Sequence, residues 1–244
     1  MGRLEELNRI NGFGIFDVRS AAFRTYGRVL AAPEGAVGAE APGDPGLAEL
    51  FRYMEERTEI PDEGNIYVAS DPELEKIESI AVYRNTLFGG LDVQAGYCNG
   101  RNTTVNGFEY HKSPEVNIAV TDFLLALGHS YDISDDLSYD VDDAEIFFMP
   151  RGTVIELFGT TLHLSPLRTC DAGFRNIVIL PRGTNTPLSD EERLAAAEAL
   201  ARGDREARLL LQKQKWVISH PEREPLIRQG AHPGVTGPNR ELKY

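Results

Sequence analysis

The sequence predicts a mainly β fold, either a β-barrel or a double-sheet jelly roll, with helices added near both ends of the chain. From about residue 60 to residue 182, short runs of strand-forming residues alternate with turn residues. Evenly spaced short strands of this kind are typical of barrels and jelly rolls. Helical patterns flank this region on both sides. We therefore expect one domain over residues 1–244, with the barrel at about 60–182 and a helical C-terminal extension at 189–244.

The N-terminal part of the chain predicts short elements ahead of the barrel. Residues 3–10 fit a short helix, and Gly27 forms a turn before a short strand. Residues 31–46 are rich in Ala, Pro and Gly, which indicates a surface loop. Residues 47–57 carry apolar side chains at helical spacing, so a helix follows the loop.

The barrel region is predicted from apolar runs that lie between turn signals. Asn-Gly pairs at residues 99–100 and 106–107 are strong signals for hairpin turns. The run at 132–143 is acidic, which favours a solvated loop. The predicted strands are 66–69, 80–83, 93–97, 103–111, 123–127, 144–150, 153–158, 163–167 and 174–180.

The C-terminal extension predicts two helices and a tail. Ser189 is followed by three acidic residues, which is a favourable start for a helix, and Gly203 is a suitable residue for its end. A second helix is predicted from Asp204 to about Ile218. The tail beyond it is rich in Pro and Gly, and we expect it to wrap the barrel.

Composition narrows the classes of function. The formal net charge of −13 argues against general binding to nucleic acids or to anionic membranes, which needs clustered Lys and Arg. Cys98 and Cys170 form no CxxC pair, so we expect ordinary thiols in a reducing cytoplasm. The N-terminus carries no apolar signal segment, and no run has the length of a membrane span. We therefore expect a cytoplasmic protein that acts on a small molecule.

A cluster of side chains suited to metal binding stands at the end of one predicted strand. Glu109 and His111 are two residues apart and project to the same face of an extended strand. The Lys-Ser-Pro segment that follows can turn the chain and bring Glu115 back beside them. Imidazole and carboxylate ligands suit zinc, manganese, iron or nickel. A Glu-x-His pair by itself is more often a polar strand face. However, His163 follows a glycine turn in an apolar strand and is a candidate for the further ligand.

These motifs together resemble the cupin superfamily. Glu109 stands where the usual first cupin motif has its first His, while His111 and Glu115 fit its second His and its Glu. His163 matches the final cupin His. The resemblance implies a mainly β, cupin-type double-stranded β-helix, or jelly-roll, barrel. Here it would carry added N- and C-terminal helices.

Within this superfamily the sequence is most similar to ureidoglycolate lyase-like cupins. Three segments carry the likeness: residues 23–29, the Glu-x-His pair, and residues 159–167. The resemblance covers roughly residues 16–182 and does not include the C-terminal extension. The chain lacks the Trp that precedes the final His in that family, and Glu115 stands where a Gln-type residue is common. These departures indicate an uncharacterised branch with another substrate.

The expected centre is a divalent metal ion held by Glu109, His111, Glu115 and His163 inside the barrel. A metal ion there would polarise a substrate oxygen as a Lewis acid. Glu156 lies in an apolar strand and is the candidate catalytic base. Two alternatives stay open for Glu156, because it can also ligate the metal or lie on an exposed strand face.

The expected function is that of a metal-dependent lyase, or of an isomerase or epimerase, acting on a small sugar or α-hydroxy acid. The alternative is a cupin that binds a metal or a sugar without turnover. A dioxygenase would need iron and an open face for oxygen, and nothing in the sequence specifically supports it. Cupins commonly pair through edge strands, so we also expect a homodimer.

Overall fold

The computed structural model describes residues 2–33 and 46–244. Most of the loop predicted at 31–46 therefore lies outside the described residues. The helices are α1 (Arg3–Asn11), α2 (Leu47–Arg57), α3 (Glu78–Thr86), α4 (Asp190–Ala201) and α5 (Glu224–Arg228). The strands before residue 130 are β1 (Ile15–Asp17), β2 (Gly27–Ala31), β3 (Asn65–Val68), β4 (Val93–Gly100), β5 (Thr104–Val105), β6 (Gly107–Tyr110), β7 (Glu115–Ala119) and β8 (Phe123–His129). The later strands are β9 (Tyr139–Asp140), β10 (Glu145–Met149), β11 (Val154–Leu157), β12 (Thr161–Leu162), β13 (Leu167–Arg168), β14 (Phe174–Pro181), β15 (Leu210–Gln212), β16 (Lys215–Ser219), β17 (Val235–Thr236) and β18 (Arg240–Glu241).

Two large sheets form the centre of the molecule. One has the strand order β1-β10-β8-β12, with β13 also paired to β8, and the other has the order β2-β11-β7-β14-β4-β3. Apolar side chains from both sheets, among them Phe123, Phe147, Leu157 and Phe174, pack between them in one buried cluster. Burying such side chains is the main favourable contribution to folding. The predicted fold class, a mainly β jelly roll with added helices, is therefore confirmed.

Further apolar layers cover the outer faces of both sheets. Helices α2 and α3 pack on the β2–β3 sheet, where Leu50 and Ile80 meet Val116 and Ile177. On the other side, α1 and the C-terminal strands pack on the β1–β12 sheet, with Leu7 and Ile218 in the shared cluster. The central strands β7, β8 and β11 are therefore buried on both faces, whereas the edge strand β3 exposes Ile66 and Tyr67.

A small third sheet, with the order β15-β16-β6, brings the C-terminal extension to the predicted metal ligands. The prediction of a helix from Asp204 to Ile218 is wrong, because this segment forms a short 3-10 helix followed by the β15–β16 hairpin. In β16, Val217 and Ile218 are buried, and the strand pairs with β6 in the register Val217 to Glu109. Pairing with β6 satisfies the backbone groups of this segment.

Two other local expectations were wrong. The strand predicted at 80–83 is part of α3, because Ile77, Ile80 and Tyr83 are buried at a spacing of three residues, which is the helical period. The Asn-Gly pair at 99–100 lies inside β4 rather than in a hairpin turn. There Gly100 is needed for space, because a Cβ at this position would lie 2.7 Å from the backbone carbonyl oxygen of Gly64.

None of the helices in the described ranges 2–33 and 46–244 combines the length and the apolar character that crossing a membrane requires.

Candidate metal centre

The end of β6 directs two of the predicted ligands to one side. Phe108 and Tyr110 pack into the apolar cluster, while Glu109, between them, points the other way. His111 follows β6, and its Nε2 lies 3.8 Å from Oε1 of Glu109. The expectation that Glu109 and His111 share one face is therefore confirmed.

The other two predicted ligands reach the same point from different strands. Glu109 and His163 form an antiparallel bridge, in which each backbone N–H donates to the other residue's carbonyl, at 2.6 and 2.9 Å. Glu115 begins β7, and its Oε2 lies 3.2 Å from Nε2 of His111 and 3.2 Å from Nε2 of His163. The ring centroids of His111 and His163 are 5.3 Å apart. All four side chains are buried.

Each histidine ring is held through its Nδ1 atom. Nδ1 of His111 lies 2.6 Å from the carbonyl oxygen of Gln214, and Nδ1 of His163 lies 2.9 Å from that of Thr161. A carbonyl oxygen only accepts, so Nδ1 carries the proton in both rings. Both Nε2 atoms are thereby turned toward the carboxylates, and deprotonated Nε2 is a metal-binding atom.

The cluster fits a divalent metal ion by its donors and by one unsatisfied atom. Glu109, His111 and His163 each offer a ligand atom, and these atoms lie within 4.8 Å of one another. Nε2 of His111 is buried and, although Oε2 of Glu115 lies 3.2 Å away, makes no well-aligned hydrogen bond within the described part of the chain, so this polar atom is available to a metal ion. Glu115 contacts both rings and supplies a second buried carboxylate. This donor set suits the metals expected from the sequence.

A lysine from the C-terminal hairpin neutralises one carboxylate of the cluster. Nζ of Lys215, the first residue of β16, forms an ion pair with Oε2 of Glu109. Burial raises the pKa of Glu109, but the charges of Lys215 and then of the histidines outweigh it, so the pKa is lowered overall. Burial also lowers the pKa of His163. The charge of Glu115 and its hydrogen bond outweigh that effect and raise the pKa to about 9.

The cluster opens into a cavity of about 310 Å³, which is in the size range of sites for small molecules. Cys98 lies in its wall, and burial, followed by the charges of Glu109 and Glu115, raises the pKa of this thiol to about 12. The thiol therefore stays protonated and is a poor nucleophile or ligand. The polar residues that line the cavity are Asn65, Tyr67, Cys98, Glu109, Glu115, Asn117, His163, Ser165, Asn176, Asn185, Lys215, Arg223 and Gln229.

Several residues of this site were not predicted from the sequence. Lys215, Gln214 and Arg223 come from the C-terminal extension, which was expected to be helical and outside the site. Tyr67 also lines the cavity, and its hydroxyl accepts a hydrogen bond from Nδ2 of Asn185 at 2.6 Å. The run Trp216-Val217-Ile218 was the available signal, because aromatic and β-branched residues are enriched in strands.

Glu156 does not lie at this centre, which corrects its predicted role as catalytic base or ligand. In β11 it pairs with Val116 of β7, while Leu157 pairs with Glu115. Glu156 therefore shares a face with Val116, on the opposite side of the sheet from Glu115. Its carboxylate forms an ion pair with Arg28 of the neighbouring strand β2. The partner of the buried Glu156 carboxylate, which the sequence did not reveal, is therefore Arg28.

The sequence matches the family described as "Domain of unknown function (DUF4867)" over residues 15–240. No curated protein matches the chain. Among solved structures, the vicilin from Solanum melongena is similar with a TM-score of 0.32 and 14% identity, covering 70% of this chain and 46% of that protein. An oxalate decarboxylase variant from B. subtilis is similar with a TM-score of 0.30 and 12% identity, covering 78% of this chain and 46% of that protein. The chain thus spans less than half the length of either protein, and the fold class follows from its own strand pairing.

Proposed function

The chain belongs to the family of the domain of unknown function DUF4867, and we propose that this protein is a metal-dependent lyase or isomerase. Its substrate class is a small sugar or α-hydroxy acid. One observation carries the proposal: Glu109, His111, Glu115 and His163 converge, and all but His111 line a cavity large enough for such a molecule. Location in the cytoplasm and assembly as a homodimer are part of the same proposal.

A divalent ion held by these four residues would act as a Lewis acid toward a substrate oxygen. The residues around it orient that ion and the substrate. Gln214 and Thr161 fix the two histidine rings through their carbonyl groups. Asn117 donates from Nδ2 to Oε1 of Glu115 at 2.9 Å, which holds this carboxylate with its other oxygen toward the histidines. Such supporting contacts raise the affinity of a site for its metal.

Donation of a proton is assigned to Tyr67, which lines the cavity. Tyr67 is 41% exposed as a whole, but loss of solvation around its hydroxyl, followed by the charge of Glu115, raises its pKa, so the hydroxyl stays protonated. Asn185 donates to the Tyr67 oxygen, which leaves the Tyr67 O–H free to donate toward a substrate oxygen. Glu115 is held by Asn117 and by both histidines. Its burial is outweighed by the histidine charges and hydrogen bonds, which lower its pKa, so it serves as a ligand rather than as a base.

The test combines metal analysis with a turnover assay. Elemental analysis of the purified protein is expected to find about one divalent ion per chain. The loaded protein is then incubated in D₂O with a panel of aldoses and α-hydroxy acids and followed by proton NMR. Loss of a carbon-bound proton signal indicates isomerisation or epimerisation, and new product signals indicate a lyase. His111→Ala is expected to lose the metal and turnover together, whereas Tyr67→Phe is expected to keep the metal and lose most of the turnover.

The alternative function, binding of a metal or a sugar without turnover, is separated by the same measurements. Ligand-dependent stabilisation of the loaded protein, with no product and no exchange for any member of the panel, would favour a binding protein. A chain that contains no metal, and takes up none when zinc, manganese, iron or nickel is supplied, would rule out the enzyme and the metal-binding protein and leave only binding of a sugar.

A further inference from the structure

Arg223 is an enclosed cation in the wall of the same cavity. It lies in the turn between β16 and α5, and its backbone N–H donates to the carbonyl of His220 at 2.9 Å, which fixes this turn. The residue is half-buried. Loss of solvation lowers the pKa of its guanidinium, although the charge of Glu109 acts in the opposite direction. The fold therefore holds a positive charge beside the cavity at a cost in solvation.

The guanidinium of Arg223 is largely uncommitted. It donates from Nη1 to Oδ1 of Asn106 at 2.9 Å. Among residues 2–33 and 46–244 it makes no ion pair within 4.0 Å, although a guanidinium offers five N–H donors. Lys215 differs, because its ammonium pairs with Glu109 and lies 5.9 Å from the ring centre of Tyr67. Arg223 is thus the cation of this cavity that remains available to a ligand.

The balance of charge in the cavity points the same way. The negative charges of Glu109 and Glu115 are matched by the positive charges of Lys215 and Arg223. When a divalent ion binds between neutral histidines, its charge is left without compensation. The loaded cavity therefore favours an anion, even though the whole chain carries a net charge of −13.

We propose that Arg223 binds a carboxylate of the substrate, so that the substrate class is small hydroxy carboxylic acids rather than neutral sugars. This inference rests on the proposed function, since the substrate hydroxyl is taken to face the metal cluster. The planar fork of a guanidinium matches the two oxygens of a carboxylate, and such paired hydrogen bonds are strong and directional. Asn65, Ser165 and Asn185 line the same cavity and provide neutral polar groups for the rest of the molecule.

The experiment compares acids with their neutral amides on the loaded protein. Glycolate, lactate and gluconate are each paired with glycolamide, lactamide and gluconamide, and the melting temperature is followed as a function of ligand concentration. At least one acid is expected to stabilise the wild-type protein, and its amide is expected to bind about tenfold more weakly or not at all. Arg223→Gln is expected to weaken binding of that acid by about tenfold or more, with the metal content unchanged.

A matched control and a conservative variant sharpen the result. Arg228 lies in α5, is exposed and pairs with Glu224, so Arg228→Gln is expected to bind the acid as the wild type does. Arg223→Lys keeps the charge but loses the fork, and we expect intermediate binding. It also provides a readout if Arg223→Gln fails to fold.

Three outcomes would overturn the assignment of Arg223. The first is that acids and amides bind equally well. The second is that both Arg223 variants bind the acid as the wild type does. The third is that inorganic phosphate raises the melting temperature, in an Arg223-dependent way, more than any acid does. Repeating the series on chelator-treated protein separates the two proposals. Absence of metal from the wild type contradicts the proposed function alone, whereas loss of acid selectivity in a protein that holds metal contradicts the role of Arg223.

Discussion

Nδ1 of His111 lies 2.6 Å from the carbonyl oxygen of Gln214, a residue 103 positions later in the chain. Gln214 is the second residue of the two-residue turn between β15 and β16 and has a φ of 56°. The turn is held in place by backbone hydrogen bonds between Lys213 and the segment that follows β14. The orientation of a ligand in the middle of the chain therefore depends on a hairpin in its last quarter.

Substitutions at Gln214 should change metal affinity through this carbonyl group. Proline cannot adopt a positive φ, so Gln214→Pro is expected to displace the carbonyl and to weaken metal binding by about 10–100-fold, the usual effect of losing such a supporting contact. Gln214→Gly keeps both the carbonyl and the backbone conformation and is the matched control. Competition with a coloured chelator measures both affinities. Equal affinities in the two variants would mean that the hairpin does not orient His111.

Removal of Lys215 should make the protein more dependent on its metal. Lys215→Met leaves the buried carboxylate of Glu109 without its partner, and breaking a buried ion pair costs about 3–5 kcal/mol of the free energy of unfolding. A divalent ion restores a positive charge at Glu109. We expect a lower melting temperature for the metal-free variant and a larger increase on metal addition than in the wild type. An increase no larger than that of the wild type would indicate that Glu109 does not contact the ion.

Metal affinity should increase with pH up to about pH 9. Without metal, the pKa of His163 is raised to about 9, so below that pH the ion must displace a proton from Nε2. Each proton released makes affinity rise about tenfold per pH unit. Titration calorimetry in two buffers of different ionisation enthalpy measures this release. Affinity that is constant between pH 6.5 and 8.5 would contradict a role of His163 as a ligand.

The same shift predicts how the metal-free protein responds to pH. The pKa of His163 is higher in the folded chain than its usual value of 6.5, so this group's contribution to stability is complete below about pH 6.5 and is lost as the pH rises through about 9. We expect the melting temperature of chelator-treated protein to fall across this interval. His163→Gln should remove most of the slope, because glutamine does not titrate.

Glu156→Gln should leave the metal centre intact. The ion pair of Glu156 with Arg28 lies on the other side of the sheet, and the Arg28 side chain is 56% exposed. We expect unchanged metal content, unchanged turnover and a loss of about 1 kcal/mol or less in the free energy of unfolding. Arg28→Gln should give a similar loss, and the double variant should add little to either. A loss of metal in Glu156→Gln would return this residue to the centre.

Short-range patterns identified much of the fold. The helix at 47–57 was predicted with the bounds that α2 has, and the buried run at 123–127 lies within β8. These two predictions depend only on the spacing of apolar residues within a single helix or strand. The helix prediction for residues 204–218 was wrong because the strand character of this segment depends on pairing with β6, a partner more than a hundred residues earlier.

The face on which Glu156 lies could not be read from the sequence for a related reason. Both faces of β11 are buried, since Val154 packs against the α2–α3 layer and Ile155 packs between the sheets. A strand with two apolar faces gives no alternation that would tell inside from outside. The choice between base, ligand and surface residue therefore needed the pairing register with β7.

The sequence alone predicted the candidate ligands and that Glu109 and His111 share one face, because alternation along a strand is a property of neighbouring residues. It also determined the mainly β class, through short strands separated by turn residues. The contact of Gln214 with His111, and the position of Lys215 and Arg223 in the cavity wall, follow from the three-dimensional fold. Contacts of that kind depend on which strands pair and in which register, and pairing between distant segments is fixed by the packing of the whole chain.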